Sequence, residues 1–299
     1  MPLPPESRSA DTGVIHDIGY RGYTGPRLGR SYATRALFTQ SLRAAYGLGR
    51  SGKSKVLPML VLGAVTVPAL ITVAISVVMK RPELPVDYTG YLSMLSLVVS
   101  VFLASQAPVL FSRDLRHQTV PLYFSRPITR ADYVRAKFGA MVCAQLLLMA
   151  APLLVLYVGA LLGGMDFAHN TGHVLYGLTA AVLYALVPTS VAVVIAAATP
   201  RRGFGVAAIM GYLTVSAALG AAAVGMSNPG TAGSDTAQWT SLISPTDLVE
   251  SLVNELFGLG GGLDRRHAPG GLGVLVFALV AAAMVAGSYR LLLRRYRRV

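Results

Sequence analysis

The sequence predicts an all-α polytopic membrane protein. Its elements are six transmembrane helices, an N-terminal amphipathic interfacial helix, a cytoplasmic helix between the second and third spans, and an external amphipathic helix before the last span. Three observations carry this expectation. Only 13% of the 299 residues are charged against 54% hydrophobic, with a mean hydropathy of +0.56; a soluble domain carries about 25% charged residues. The charges also crowd into gaps between long apolar runs, the mark of a polytopic protein. Finally, 22 of the 26 Lys/Arg fall in the termini and the second and fourth gaps, and only four in the other gaps. That partition predicts that both termini are cytoplasmic. It also accounts for the net charge of +13 without a nucleic-acid partner.

Residues 1–30 have little apolar content and five glycines, and are expected to form a flexible cytoplasmic tail lacking its own core. No secretory signal is expected at its polar, proline-containing start. Residues 31–55 come next as an amphipathic helix and a turn. Leu37, Phe38, Leu42, Ala45 and Leu48 share one helical face, with Arg35, Arg43 and Arg50 on the other. Such a helix suits the membrane interface, with its arginines toward lipid phosphates, or the surface of a partner protein.

The membrane domain is 56–299, with spans at about 56–79, 91–112, 138–162, 174–198, 204–226 and 271–293. Each is long enough to cross a hydrocarbon core of about 30 Å at about 1.5 Å per residue. Pro58, Pro68, Pro108, Pro152 and Pro188 lie inside them and each removes a backbone donor. Gly159 and Gly163 form a GxxxG pair fit for a close helix contact. Before the last span, Ser244, Pro245 and Asp247 read as N-cap, first helical position and capping-box acid. Leu248, Val249, Leu252, Val253, Leu256 and Phe257 then repeat along one face, ended by GLGGG. This helix is expected at the outer leaflet, where Trp239 suits the interface, or as a cap over the external loops.

Residues 113–137, RDLRHQTVPLYFSRPITRADYVRAK, are the longest polar segment between two spans on the predicted cytoplasmic side. The segment is short for a domain and long for a turn, which marks a docking surface. Pro121 fits badly in a helix interior, so a docking helix is expected to end near Val120. Pro127 disfavours helix at Arg126, where the chain should bend. Asp114 falls in the first turn of the docking helix, leaving Arg116 and His117 to face a partner. Thr129 as N-cap and Asp132 three residues on should open the third span's helix.

Other motifs carry little chemistry. Residues 47–54, GLGRSGKS, match the phosphate-binding pattern GxxxxGK[ST], which works between a strand and a helix. Here an amphipathic helix precedes it and a span follows, so the reading is a Gly/Ser turn with Lys53 and Lys55 at lipid headgroups. His169 and His173 have metal-ligand spacing, but Asn170, Thr171 and Gly172 make a helix doubtful there. Cys143, the one cysteine, excludes an intrachain disulfide and a Cys-based metal site. No catalytic residues, cofactor or metal are expected. Because the spans hold no Asp, Glu, Lys or His, any transport should draw its energy from elsewhere.

The run 111–140, FSRDLRHQTVPLYFSRPITRADYVRAKFGA, resembles the first cytoplasmic loop of ABC-2-type permeases. The matching positions are Asp114, Thr119, Leu122, Ser125, Pro127, Arg130, Tyr133 and Lys137, with Asp114 standing where the family more often has Glu. The six-span architecture agrees, and GYRGYTGPRLGR (19–30) is similar to an N-terminal signature of actinobacterial permeases of this type. The resemblance implies an exporter whose ATP hydrolysis resides in a separate ATPase subunit, with the loop as its coupling helix. It implies Asp114, Arg116, His117, Thr119, Pro127, Arg130, Tyr133 and Lys137 as coupling residues. It also implies a second permease chain, identical or not, at the plasma membrane. The rival class is a membrane scaffold or sensor that transports nothing, which would not need a coupling loop.

Overall fold

The computed structural model describes residues 24–25, 28–125, 127–226, 238–258 and 266–297, and these form only helices, turns and connecting segments. In chain order the helices are α1 (Arg30–Ala45), α2 (Lys53–Val78), α3 (Tyr88–Met94), α4 (Ser96–Leu110), α5 (Ser112–Arg116), α6 (Val120–Phe124), α7 (Arg130–Leu162), α8 (Phe167–Ala198), α9 (Arg202–Met226), α10 (Pro245–Leu256) and α11 (Gly270–Arg297). Six stretches are long and apolar enough to cross a membrane: α2, α4 with α5, α7, α8, α9 and α11. The chain is therefore an all-α, six-span protein. The predicted tail and its GYRGYTGPRLGR segment lie almost wholly outside the described residues, as does the expected bend at Arg126.

α7 and α8 form the centre. α7 starts eight residues before the apolar run because Thr129 and Asp132 close a reciprocal capping box that satisfies the first backbone donors. α8 likewise starts early, at Phe167, where Asp166 accepts from the His169 amide at 2.9 Å. Residues 170–172 are thus helical, contrary to the sequence expectation, because the cap outweighs their weak propensity. His169 and His173 stack at 4.1 Å between ring centroids. Among the described residues no group of three His, Cys, Asp or Glu is placed to hold a metal. α2, α9 and α11 pack around this centre and turn large apolar side chains outward, among them Leu60, Leu219 and Leu279.

The second predicted span is broken. Leu95, at φ −92° and ψ 2°, separates α3 from α4. At the other end, Pro108 cannot donate within α4, and three residues later Phe111 (φ −108°, ψ −54°) separates α4 from α5. Gly159 and Gly163 do serve a close helix contact: Cβ atoms there would lie 2.4 Å and 3.0 Å from Val73 and Val77 of α2.

α1 buries Leu37 and Ala45 and leans along α7 in the same direction, leaving Arg35 and Arg43 exposed. Arg30 grips Asp132 through Nε at 2.5 Å and Nη2 at 2.9 Å, and Tyr46 donates to the Ala144 carbonyl at 2.8 Å. Burial pushes the Tyr46 phenol up to about 12. The helix ends in a Schellman motif: Leu48 N–H bonds Arg43 O and Gly47 N–H bonds Ala44 O, with Gly47 at φ 68°. Leu48, expected on the apolar face, is exposed beyond this stop. The GLGRSGKS run is therefore a helix–turn–helix connection. Gly47 caps α1, and a Cβ there would meet the Ser54 carbonyl at 2.4 Å.

α10 departs most from expectation. It packs inside the bundle against α8, α9 and α11 with Leu248, Val249, Leu252 and Val253 buried. Thr246 shares a small cavity with Gln145, Met149 and Pro188, while Phe257 stacks on Tyr176 at 4.5 Å. α10 thus runs antiparallel to α8, its N-terminus about 18 Å deeper than its C-terminus at about 1.5 Å per residue. The reason is compositional: its outer-face residues Asp247 and Asn254 find partners within the fold.

Candidate coupling site

One end of the bundle gathers Arg113, Arg116, Arg130, Arg202 and Arg295, and is called here the basic end. The segment α5–α6 connects α4 to α7 there. α5 is the continuation of α4 past Phe111, and it stops at Arg116 because Gln118 takes a left-handed conformation, φ 50°. A second short helix, α6, then begins at Val120. Pro121 falls in its first turn, where a missing N–H costs nothing, so the proline opens a helix where the sequence predicted an end.

Beneath these helices lies a buried polar network. Lys137, two turns past the start of α7, is 4% exposed and forms an ion pair with Asp114 of α5, itself 7% exposed. Lys137 also donates to the Leu110 carbonyl at the end of α4. The Tyr133 hydroxyl donates to Asp114 Oδ2 at 2.9 Å. The Lys137 ammonium sits 4.8 Å from the Tyr133 ring centroid and 5.9 Å from that of Tyr123 in α6. Tyr296 of α11 packs on Tyr133 with centroids 5.0 Å apart. Ser112 donates to Ala196 O at 2.7 Å and Arg295 to Ala197 O at 2.8 Å, tying α5 and α11 to the end of α8. The charges are shielded from water, so each depends on its partner.

The eight residues singled out from sequence fall into two sets. Asp114, Tyr133 and Lys137 meet in the buried network, turned away from the surface. Arg116, His117, Pro127 and Arg130 are exposed, and Thr119 is half-buried, its hydroxyl 3.4 Å from the Asp114 carbonyl. Leu122, 68% exposed, adds an apolar knob to the same surface. Arg130 lies 5.5 Å over the Phe124 ring, which fixes its direction. Tyr123, Phe124 and Tyr296 were not foreseen as part of this site. Tyr123 and Phe124 lay within the segment already marked, but no local pattern connects Tyr296 to residues so far away in the chain.

A second polar cluster lies toward the opposite end. Ser93 donates to Glu250 at 2.7 Å, Arg266 is ion-paired with Asp247, and Tyr184 is buried beside them. Ser93, Glu250 and Tyr184, with Asp87, Thr89 and Asn254, border a cavity of about 320 Å³ between α3, α8 and α10. Uncharged spans therefore do not leave the interior uncharged: α10 carries two carboxylates in from outside them. Asp247 turns to Arg266 rather than completing the predicted capping box.

The fold defines a multi-pass membrane protein whose polar connection between the second and third spans is clamped onto them by a buried ion pair. Residues 52–218, more than half of the chain, match the family described as ABC-2 family transporter protein. The chain belongs to that family and is a permease-type membrane component of an ABC transporter. No curated protein sequence matches it.

Proposed function

We propose that this chain is the export permease of a transporter powered by a separate ATPase subunit, which docks on α5 and α6. Two permease chains and two ATPases form the working unit in the plasma membrane, with both termini cytoplasmic. The positive-inside partition supports the orientation. The observation that carries the coupling role is the division of the loop: Arg116, His117, Leu122 and Arg130 face outward, while Asp114, Tyr133 and Lys137 lock the same helices to α4, α7 and α11. A push on the outer face passes into the spans because the base of the loop is rigid. Asp114, Tyr133 and Lys137 then act as positioning residues, and the exposed set makes contact. Membrane lipids surround the outward faces of α2, α9 and α11.

The test uses the tagged full chain purified from its native membrane. Wild type should co-purify with vanadate-sensitive ATP hydrolysis. Arg116→Glu with Arg130→Glu should insert normally and lose at least about tenfold of that activity, since like-charge juxtaposition at an interface costs several kcal/mol. Normal co-purification by the double variant makes the loop a mere connector.

A further inference from the structure

The polar face of α1, the 46–52 turn and the start of α5 enclose a groove of about 680 Å³. Arg35, Arg43, Arg50 and Arg113 line it together with Tyr32 and Leu48, and no carboxylate does. None of these four arginines has a salt bridge among the described residues. Burial and the neighbouring guanidiniums of Arg113 and Arg202 push Arg50 down. The nearby carboxylate, Asp114, is already taken by Lys137 and Tyr133. Guanidiniums held together without a counter-charge form a site for an anion, and their fork geometry favours phosphate.

We propose that this groove holds the phosphate-bearing headgroup of an anionic phospholipid. Charge alone would equally fit an acidic protein segment, and the flanks decide the matter. Leu48 lies in the groove at 43% exposure, and Val56, Leu57 and Leu60 follow exposed in the first turns of α2. Arg202, whose charge acts on Arg50, is followed two residues later by Phe204, which is 71% exposed. A cationic pocket thus lies beside apolar, outward-facing helix surface, which matches a molecule with an anionic head and hydrocarbon tails. The groove is also preformed. The Schellman turn fixes Gly47 and Leu48, and the Ser54 hydroxyl donates to the Ser51 carbonyl at 2.7 Å. The inference rests on the six-span fold alone, so it stands or falls separately from ATPase docking on α5 and α6.

The experiment is native mass spectrometry of the purified full chain, without any ATPase, titrated with phosphatidylglycerol and with phosphatidylcholine. Phosphatidylglycerol should bind more tightly. Arg43→Gln with Arg50→Gln should weaken it about 25-fold, about fivefold for each arginine at a membrane surface, and leave phosphatidylcholine unchanged. Lys80→Gln with Arg81→Gln, the same charge loss at the opposite end, should have no effect. A wild-type salt series guards against a misfolded variant: the preference should fade between about 0.15 M and about 1 M salt. Equal binding of both lipids, a salt-independent preference, or an undiminished preference in the double variant overturns the proposal. Displacement by millimolar inorganic phosphate also overturns it, because the site would then bind free anions.

Discussion

The Tyr133 hydroxyl donates to Asp114 at 2.9 Å and so closes a loop of the chain that contains every exposed residue of the candidate docking surface. With Lys137 on the same carboxylate, Asp114 becomes a strut inside the protein. Reversing its charge would bury two cations together and test folding, not docking. The informative changes are neutral. Asp114→Asn or Lys137→Met alone strands a buried charge and should cost about 3–5 kcal/mol, while the double substitution should recover a large part of that loss. Thermal unfolding in detergent, with ligand-free controls, measures both. Additive losses in the double variant would mean that the pair is not coupled.

Much of this arrangement is legible in sequence, and the limits have physical causes. The spans follow from apolar length, and the start of α7 from Thr129 and Asp132, because both signals are local. The polar segment between the second and third spans was also visible. What could not be read was which of its charges turn inward. Asp114 and Arg116 look alike in sequence, and only the packing of α5 on α7 separates them. α10 misled for the same reason: its amphipathic pattern is the same whether the apolar face meets lipid or α8. The expected stop at Pro121 is instead a start, because the proline falls in a first turn set by the left-handed Gln118 before it.

The contact between α2 and α7 is set by small residues. Gly159→Ala places a methyl about where Val73 already stands, with Cγ1 at 2.4 Å. Overpacking of this kind should destabilise by about 1–3 kcal/mol. Val73→Ala in the same chain should restore part of the loss by vacating the space. Gly172→Ala is the internal contrast, since nothing lies within 4 Å of its Cβ in α8. It should be neutral or stabilising by up to about 1 kcal/mol through helix propensity. Equal effects at Gly159 and Gly172 would remove close packing as the explanation.

The proposed orientation has a direct chemical test. In a Cys143→Ala background, cysteines at the exposed positions Glu83 and Ala168 should react with a membrane-impermeant maleimide in intact cells. A cysteine at exposed Ser125, in the loop before α7, should react only after the membrane is opened. External labelling of Ser125→Cys inverts the topology and removes the docking site from the ATPase side.

The insertion of α10 depends on its charges being answered inside the bundle. Asp247 is 7% exposed, and its partner Arg266 comes from the segment just before α11. Arg266 also offers its carbonyl to Asn254 at 3.0 Å, so this segment closes over α10 by side chain and backbone together. Arg266→Gln keeps the backbone contact and removes only the charge. A buried carboxylate without its cation costs several kcal/mol, and outward movement of α10 relieves that cost by exposing Asp247 to water. The apolar face resists, because Leu248, Val249, Leu252 and Val253 would be uncovered at about 1.5–3 kcal/mol for each fully exposed side chain. The balance favours a helix that stays folded in place but opens more often. A cysteine replacing Thr246, at the deep end of α10, reports this. It should react slowly with an external maleimide in the otherwise wild-type chain and several-fold faster with Arg266→Gln. Asp247→Asn combined with Arg266→Gln should return the rate toward the slow value. Fast labelling of Thr246→Cys in the parent chain would put α10 at the surface and contradict its buried placement.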